Sequence, residues 1–163
     1  MLEASFVVQK LSAIYETEPV GVENHGNFLN MAVEIHLSGI TASQMMARML
    51  RIEYLLGRKD KNLQKPRTVD LDLLLFGDTQ TKTEFLTLPH PRMHLRRFVL
   101  TPLAEIAPHT KHPILNKNII QLLDETNDNS FVKRWNPNHD QTFENDEMKI
   151  YFKNLATKLK IKN

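Results

Sequence analysis

Two carboxylates, Asp70 and Asp72, interrupt an apolar run at residues 66–77, and this run limits the possible folds more than any other segment. Apolar and β-branched residues that lead into a Gly-Asp turn at Gly77 predict a buried β-strand. Because side chains alternate between the faces of a strand, both aspartates are expected on one face, about 6 to 7 Å apart. Burying two carboxylates without a cation is costly, and Mg²⁺ prefers a few carboxylate oxygens while leaving positions open for phosphate. The sequence therefore predicts a magnesium site on this strand.

A plainer interpretation places Asp70 and Asp72 on the solvated face of an edge strand. The surrounding residues favour the metal site instead. Arg67 precedes the pair, a basic loop covers residues 58–65, and His and Arg residues cluster at residues 90–97. Carboxylates with cationic groups on both sides predict a site for a metal ion and phosphate groups.

Composition excludes several classes of protein. The chain has 163 residues, enough for one domain with a sizeable core and too few for two ordinary ones. The absence of cysteine excludes disulfides and thiolate metal sites. The first residues do not form a signal peptide and no apolar run reaches membrane-spanning length, which predicts a cytoplasmic protein with no membrane partner. A net charge of +2 is too small to indicate a nucleic-acid partner.

Two segments in the first quarter of the chain have the composition of strands. Residues 6–17 are rich in Val, Ile and Tyr, and they end in a loop where Pro19 and Gly21 let the backbone approach a ligand closely. Residues 28–37 alternate between two faces, which predicts a second strand. The expected core face consists of Leu29, Met31, Val33, Ile35 and Leu37, and the opposite face consists of Phe28, Asn30, Ala32, Glu34 and His36.

A helix is predicted directly after the second strand. Thr41 and Gln44 form a capping-box pattern, and Gly57 is the kind of residue that follows a helix C-terminus. The apolar residues at helical spacing between them are Met45, Met49, Ile52 and Leu56.

Three weaker signals follow residues 66–77, the segment that carries Asp70 and Asp72 and is called the acidic run below. Residues 84–88 predict a short extended piece. Thr101 and Pro102 predict the N-cap and first residue of a short helix that ends near Ala107. Residues 119–123 predict one or two further helical turns.

The composition changes near residue 136. Asn, Asp, Glu and Gln then dominate, which is typical of a linker, and residues 148–161 have the pattern of a basic amphipathic helix. The predicted domain therefore covers residues 1–136, and residues 137–163 are interpreted as a polar linker and a basic tail that is solvated or packs as an arm.

Six short blocks lie in order between residues 12 and 135 and are specific as a set. They are Tyr-Glu-Thr-Glu-Pro-Val-Gly at 15–21, Asn-Phe-Leu-Asn at 27–30, Arg-Ile-Glu at 51–53 with Gly-Arg at 57–58, Pro-Arg-Thr-Val-Asp-Leu-Asp-Leu-Leu at 66–74, Leu-Pro-His-Pro at 88–91 with Arg96 and Phe98, and Pro-Leu-Ala-Glu-Ile-Ala-Pro at 102–108. In this order they resemble the hydroxymethyl-dihydropterin pyrophosphokinase family of folate biosynthesis.

The resemblance implies a fold, a reaction and its cofactors. The fold is an α/β (α+β) ferredoxin-like antiparallel sheet with helices packed on one face. The activity is that of an ATP-dependent kinase, a transferase that moves a pyrophosphoryl group from ATP to the hydroxymethyl group of 6-hydroxymethyl-7,8-dihydropterin and leaves AMP. ATP and a dihydropterin are the implied partners, and two Mg²⁺ ions are the implied cofactors.

The resemblance also assigns roles to individual residues. Asp70 and Asp72 are the metal ligands. The residues assigned to phosphate contacts and catalysis are Arg58, Arg67, His90 and Arg96, and Glu53 and Leu73 join them on the nucleotide side. The pterin pocket consists of Thr17, Val20, Phe28, Asn30 and Phe98, with the two phenylalanine rings stacking on the pterin and Asn30 reading its amide-like edge. The remaining histidines in this half, His94, His109 and His112, are interpreted as surface residues.

The sequence departs from the family pattern at three places. The family begins with a strand and a Gly-Ser-Asn segment inside the sheet, ahead of the region that matches residues 1–9, and this strand is interpreted as missing here. Leu63, Gln64 and Lys65 replace an Arg-Trp-Gly common before Pro66. The segment after residue 136 has no counterpart in the resemblance.

Three other interpretations remain open at this point. The first is a truncated and inactive member of the same family. The second is a ferredoxin-like module whose sheet aromatics stack on nucleic-acid bases, although Asp70 and Asp72 would repel phosphates without a metal. The third is a glycosyltransferase with an Asp-x-Asp metal site, for which the chain leaves little room.

Overall fold

Helices and antiparallel strands alternate in the part of the chain that a computed structural model describes, which is residues 5–18, 27–56 and 69–136. The strands are β1 (Ser5–Leu11), β2 (Tyr15–Thr17), β3 (Phe28–Asn30), β4 (Val33–Ser38), β5 (Thr81–Lys82), β6 (Thr87–Leu88) and β7 (Val132–Arg134). The α-helices are α1 (Ala42–Leu55), α2 (Arg97–Ile106) and α3 (Ile119–Glu125), and a 3₁₀ turn covers Met93–Leu95. The predicted mixed α/β class is confirmed. The predicted tail, residues 137–163, lies outside the described residues.

The strands pair antiparallel in three small sheets. β1 pairs with β4, and a register shift between Val8 and Lys10 marks a bulge in β1. β2 is the central strand of the second sheet, between β3 and β7. β5 and β6 form a short hairpin. The antiparallel pairing expected of the sheet is therefore present among the described strands.

Each of the two strands predicted near the N-terminus is divided in two, and the breaks face each other. The amide of Ser12 donates to the carbonyl of Ala32 at 3.0 Å, and the Ser12 hydroxyl accepts from the amide of Ala32 at 2.9 Å. Beyond this point the chain continues as β2 and β3. The break also shifts the alternation of faces, because Ala32 is buried and Val33 is 38% exposed. The predicted core face was therefore wrong at these two positions.

Helix α1 begins as the sequence predicts. The Thr41 hydroxyl accepts from the amide of Gln44, and the Gln44 side chain accepts from the amide of Thr41, which completes the capping box. The helix ends at Leu55 with Leu56 as its C-cap, and Gly57 lies outside the described residues. The buried residues of α1 are Ala42, Met45, Met49 and Glu53.

The main core lies between α2, α3 and the strand break at Ala32. Leu100 and Ile119 are completely buried there, and Leu74 and Leu75 of the acidic run pack against this cluster. A second cluster consists of Ala42, Leu86 and Leu88, with Met46, Leu73 and Phe76 packed against it. Leucines from one short segment thus reach both cores, which fixes that segment between them.

Helix α2 begins earlier than the sequence predicts. Its first residue is Arg97, whereas Thr101 and Pro102 were expected to start it, and Pro102 lies inside the helix. The preceding residue, Arg96, provides no side-chain cap. The acceptor that starts this helix comes from a distant segment, as described with the site below.

His112 organises a tight turn, and its interpretation as a surface residue was wrong. It is only 3% exposed, and its Nδ1 accepts from the amides of Ile114 and Leu115 at 3.3 and 3.2 Å. Its ring lies edge-on to that of His94, with 5.8 Å between ring centroids. Burial lowers the pKa of His112, and the neighbouring His94 lowers the pKa further.

Because His112 has a lowered pKa in the folded protein, it should make stability depend on pH. As the pH falls below about 6.5, the unfolded chain binds a proton at this residue that the folded chain does not, so the free energy of unfolding decreases. The variant His112→Asn presents a side-chain oxygen in place of Nδ1 and does not titrate. Urea denaturation at pH 7.5 and 5.5 should show a smaller loss of stability for His112→Asn than for the wild type. The exposed His109→Asn is the control and should keep the wild-type dependence; equal dependence in all three proteins would contradict this role of His112.

Candidate active site

In the acidic run, half-buried and exposed residues alternate as they would in a strand, but the described residues of this segment form no strand. Asp70 and Asp72 are exposed, whereas Val69 and Leu71 are half-buried, as alternation predicts. However, none of the described residues 69–75 lies in a strand, so the strand prediction was wrong for this segment. The predicted turn is present, since the Thr79 amide donates to the Phe76 carbonyl and Gly77 has a φ of 51°.

Side chains and loop backbone, rather than a strand ladder, hold this acidic run. The amide of Leu71 donates to Glu53 Oε1 at 2.7 Å, and the carbonyl of Leu74 accepts from the amide of His90 at 2.9 Å. Glu53 is 3% exposed and continues the buried stripe of α1. It was predicted on the nucleotide side, and its carboxylate contacts the backbone between the two aspartates. The spacing of Met45, Met49 and Glu53, four residues apart, was the sequence signal for its burial.

His90 stands between the acidic and the basic groups. Its Nδ1 accepts from the amide of Arg92 at 3.2 Å, so the neutral ring carries its proton on Nε2. Burial lowers the pKa of His90; the charge of Asp72 acts in the opposite direction, and those of Arg96 and Arg92 lower the pKa further. His90 therefore lies within electrostatic reach of a predicted metal ligand and of a predicted phosphate ligand.

A cavity of about 430 Å³ opens beside His90. Its walls come from the β5–β6 hairpin, the residues that follow β6, and the turn around His112. His94 also lines it. Leu73, predicted on the nucleotide side, lies in the neighbouring apolar cluster with Leu86.

The two aspartates suit an open magnesium site rather than a closed metal cage. Among the described residues, no group of three or more His, Cys, Asp or Glu side chains could enclose a metal ion. Mg²⁺ is commonly held by one or two carboxylates together with waters and substrate phosphates. The exposed carboxylates of Asp70 and Asp72, with His90 within electrostatic reach of Asp72, meet that requirement.

The predicted pterin pocket is built around the β2–β3 pair. Thr17 pairs with Phe28 in the ladder, and Asn30 Nδ2 donates to the Thr17 hydroxyl at 2.7 Å. Thr17 is 3% exposed, whereas Phe28 is 51% exposed. An oriented amide next to an exposed aromatic ring can bind a flat heterocycle by hydrogen bonding and stacking.

Helix α2 brings two further predicted residues to this part of the molecule. It packs against β2 and β3, and it begins directly after Arg96. The guanidinium of Arg96 lies 5.5 Å from the centroid of the Phe98 ring, in a cation–π arrangement. Phe98 is half-buried against the main core. Three predicted site residues, Val20, Arg58 and Arg67, lie outside the described residues.

No pattern in the sequence indicated the residue that fixes the start of α2. Asp128 Oδ2 accepts from the amide of Arg97 at 2.7 Å, and Asp128 Oδ1 accepts from the amide of Ser130 at 2.9 Å. Burial alone would raise the pKa of the Asp128 carboxyl, but hydrogen bonds from Ser130 and the Arg97 amide, with the charge of Arg97, lower the pKa. Asp128 thus acts as a cap from 31 residues away and holds the turn that carries Arg96 and Phe98.

Fold and site together define a mixed α/β protein with an exposed acidic pair, a histidine on which the charges of Asp72 and Arg96 both act, and a polar–aromatic group on β2 and β3. No helix in the described part of the chain is long and apolar enough to cross a membrane. The sequence model of the 7,8-dihydro-6-hydroxymethylpterin-pyrophosphokinase family matches residues 1–108. The chain belongs to this family, and the resemblance read from its six blocks is confirmed.

Relatives from three bacteria carry the name 2-amino-4-hydroxy-6-hydroxymethyldihydropteridine pyrophosphokinase. The protein from Bacillus subtilis (strain 168) is 50% identical over 103 residues, which are 63% of this chain and 61% of the relative. The Aquifex aeolicus protein is 36% identical over 116 residues, 71% of this chain and 72% of the relative. The Synechocystis protein is 38% identical over 124 residues, 76% of this chain and 63% of the relative. The chain thus matches about three fifths of the B. subtilis relative's length.

Replacement of the distant cap should weaken the start of α2. Asp128→Ala removes the acceptor for the Arg97 amide, and loss of an N-cap acceptor typically costs about 0.5–2 kcal/mol. The free energy of unfolding at pH 7, measured by urea denaturation, should fall by that amount. Asp124→Ala, which removes an exposed aspartate on α3, is the matched control and should change stability little. A similar loss in both variants would argue against a capping role for Asp128.

Proposed function

We propose that this chain transfers the pyrophosphoryl group of ATP to the hydroxymethyl group of 6-hydroxymethyl-7,8-dihydropterin, giving AMP and the dihydropterin pyrophosphate. The observation that carries the proposal is the exposed pair Asp70 and Asp72, with Glu53 bound to the amide between them and Asp72 within electrostatic reach of His90. The names of the relatives support the substrate and the reaction class. The proposal includes two Mg²⁺ ions, a cytoplasmic location and no nucleic-acid partner.

Asp70 and Asp72 are the residues that would hold magnesium. When bound, Mg²⁺ supplies charge neutralisation at the triphosphate oxygens and a template for in-line displacement. The carboxylates themselves provide hard oxygen ligands on an exposed segment that ATP can approach. Their exposure supports an open site in which phosphate oxygens complete the coordination.

The cationic groups bind and orient the phosphates. The Arg96 guanidinium suits bidentate contact with phosphate oxygens, and Arg58 and Arg67 have the same role by their positions in the family blocks. His90, with its proton on Nε2, donates a hydrogen bond to the oxygen that stays with AMP. Pyrophosphoryl transfer depends mainly on such positioning and electrostatic stabilisation, so no dedicated general base is assigned.

The pterin lies against β2 and β3. The Thr17 hydroxyl orients the amide of Asn30, which reads the pterin's amide-like edge. Phe28 and Phe98 stack on the two faces of the heterocycle, and the backbone near Val20 completes the pocket. This arrangement brings the hydroxymethyl group towards the phosphates without requiring a charged pterin contact.

The direct test is AMP formation by the purified chain with ATP, MgCl₂ and 6-hydroxymethyl-7,8-dihydropterin. AMP release that requires both the pterin and magnesium supports the proposal, and it should stop when EDTA is added. A folded chain that releases no AMP under these conditions overturns it. RNA binding that is indifferent to EDTA would instead favour the nucleic-acid-binding module.

Loss of either aspartate should abolish turnover and spare the pterin pocket. Asp70→Ala and Asp72→Ala each remove a metal ligand, whereas the β2–β3 pair is untouched, so AMP formation should disappear while pterin affinity by calorimetry stays near the wild-type value. Asp124→Ala, which removes an exposed aspartate on α3, should retain wild-type AMP formation. An equal loss of pterin binding in folded Asp70→Ala or Asp72→Ala would contradict the metal assignment.

Removal of the Phe98 ring should weaken pterin binding. Stacking of a base on an aromatic ring contributes about 1–3 kcal/mol, and we expect Phe98→Ala to lose a similar amount of pterin binding free energy. Because Phe98 also packs on the core, Phe98→Leu separates the effects by keeping apolar volume without the ring. Isothermal titration should give weaker binding for both variants and wild-type binding for Phe85→Ala, which removes an exposed ring elsewhere. Unchanged affinity in Phe98→Leu would remove this ring from the pocket.

A further inference from the structure

The carboxylate of Glu53 is buried, and its burial requires an explanation. Glu53 is 3% exposed on the inward face of α1, in line with Met45 and Met49. A carboxylate in such surroundings loses its hydration, which is costly unless hydrogen bonds replace it. An apolar residue at this position would fill the stripe at lower cost, so the charge is expected to serve another purpose.

One partner of this carboxylate is the peptide between the two aspartates. Glu53 Oε1 accepts from the amide of Leu71 at 2.7 Å, a short distance typical of a charge-assisted hydrogen bond. That amide belongs to the peptide bond joining Asp70 to Leu71. The orientation of this peptide determines how the Asp70 side chain is directed relative to that of Asp72.

A strand ladder would normally fix this orientation, but residues 69–75 belong to none of the described strands. Two of the hydrogen bonds that do hold this segment run from the Leu71 amide to Glu53 and from the His90 amide to the Leu74 carbonyl. The first is anchored to helix α1, whose start is fixed by its capping box. A side chain 18 residues away in the sequence thus contacts the backbone between the two aspartates.

We infer that Glu53 is a positioning residue for the metal ligands: through the Leu71 amide it holds Asp70 and Asp72 in the arrangement that binds a divalent cation. This inference rests on the proposed function for its cation, and it changes the role that the family blocks gave to Glu53 from nucleotide contact to backbone support. Residues that orient metal ligands typically contribute about 10–100-fold to metal affinity.

The test compares Glu53→Ala and Glu53→Gln with the wild type, and Glu125→Ala, which removes an exposed glutamate on α3, is the matched control. The first readout is hydrogen exchange of the Leu71 amide in the metal-free protein, followed by NMR. The second is Mn²⁺ affinity in the presence of α,β-methylene-ATP, followed by electron paramagnetic resonance. The third is pterin affinity by calorimetry.

In Glu53→Ala we expect faster exchange at Leu71 than in the wild type, with unchanged exchange in the β1–β4 sheet. Mn²⁺ affinity should fall by about tenfold or more, and pterin affinity should stay the same. Glu53→Gln keeps a neutral oxygen acceptor and should recover most of both properties. Glu125→Ala should match the wild type in every readout.

Unchanged Leu71 exchange in Glu53→Ala would overturn the inference, as would unchanged Mn²⁺ affinity. If calorimetry shows weaker binding of α,β-methylene-ATP to Glu53→Ala while Mn²⁺ affinity is unchanged, Glu53 contacts the nucleotide and is not a positioning residue. If Glu53→Ala does not fold, Glu53→Leu replaces it, because an apolar side chain fills the buried stripe without supplying an acceptor; wild-type Mn²⁺ affinity in folded Glu53→Leu would indicate a purely structural residue and overturn the inference. If the wild type forms no AMP, the proposed function fails, and Leu71 exchange with Mn²⁺ binding still tests the positioning role.

Discussion

The paired hydrogen bonds between Ser12 and Ala32 determine how the rest of the described fold is arranged. They join two strand breaks that face each other, at 3.0 Å between Ser12 N and Ala32 O and 2.9 Å between Ala32 N and the Ser12 hydroxyl. On one side of the breaks the two segments form β1 and β4, and on the other side they form β2 and β3. The break is also tied to α2, because the amide of Ala13 donates to Glu105 and Lys10 Nζ donates to the carbonyl of Ile106. The strands that carry Thr17 and Asn30 are therefore directed over the helix that carries Phe98.

Carboxylates accept backbone amides at several places where the described chain leaves regular structure. They are Glu18 with the amide of Phe131, Glu53 with that of Leu71, Glu105 with that of Ala13, and Asp128 with those of Arg97 and Ser130. A backbone amide in a loop has no ladder partner and must find another acceptor when it is shielded from water. A carboxylate makes a stronger bond than a neutral acceptor and tolerates several loop geometries. In this molecule such bonds hold the segments next to the site.

Signals between neighbouring residues in the sequence predicted the structure well, and signals that depend on distant residues did not. The capping box of Thr41 and Gln44 and the helix near Ile119 depend on residues three or four positions apart, and both are present. The start of α2 depends on Asp128, which is far away in the sequence, and the local Thr-Pro pattern placed the helix too late. His112 gave no periodic signal at all, because its burial comes from a turn folded around its own ring.

The same distinction explains what could be predicted about the site. The alternation of apolar residues around Asp70 and Asp72 predicted their exposure, since it follows from backbone geometry alone. It did not predict what holds the segment, because strand-like alternation is the same with or without a partner strand. Residues 69–75 belong to none of the described strands, so contacts outside a ladder hold the carboxylates, and a buried glutamate on α1 provides one of these contacts through the Leu71 amide. A site of this kind separates the residues that would contact the cation from the residue that arranges them, so each can be replaced and measured independently of the other.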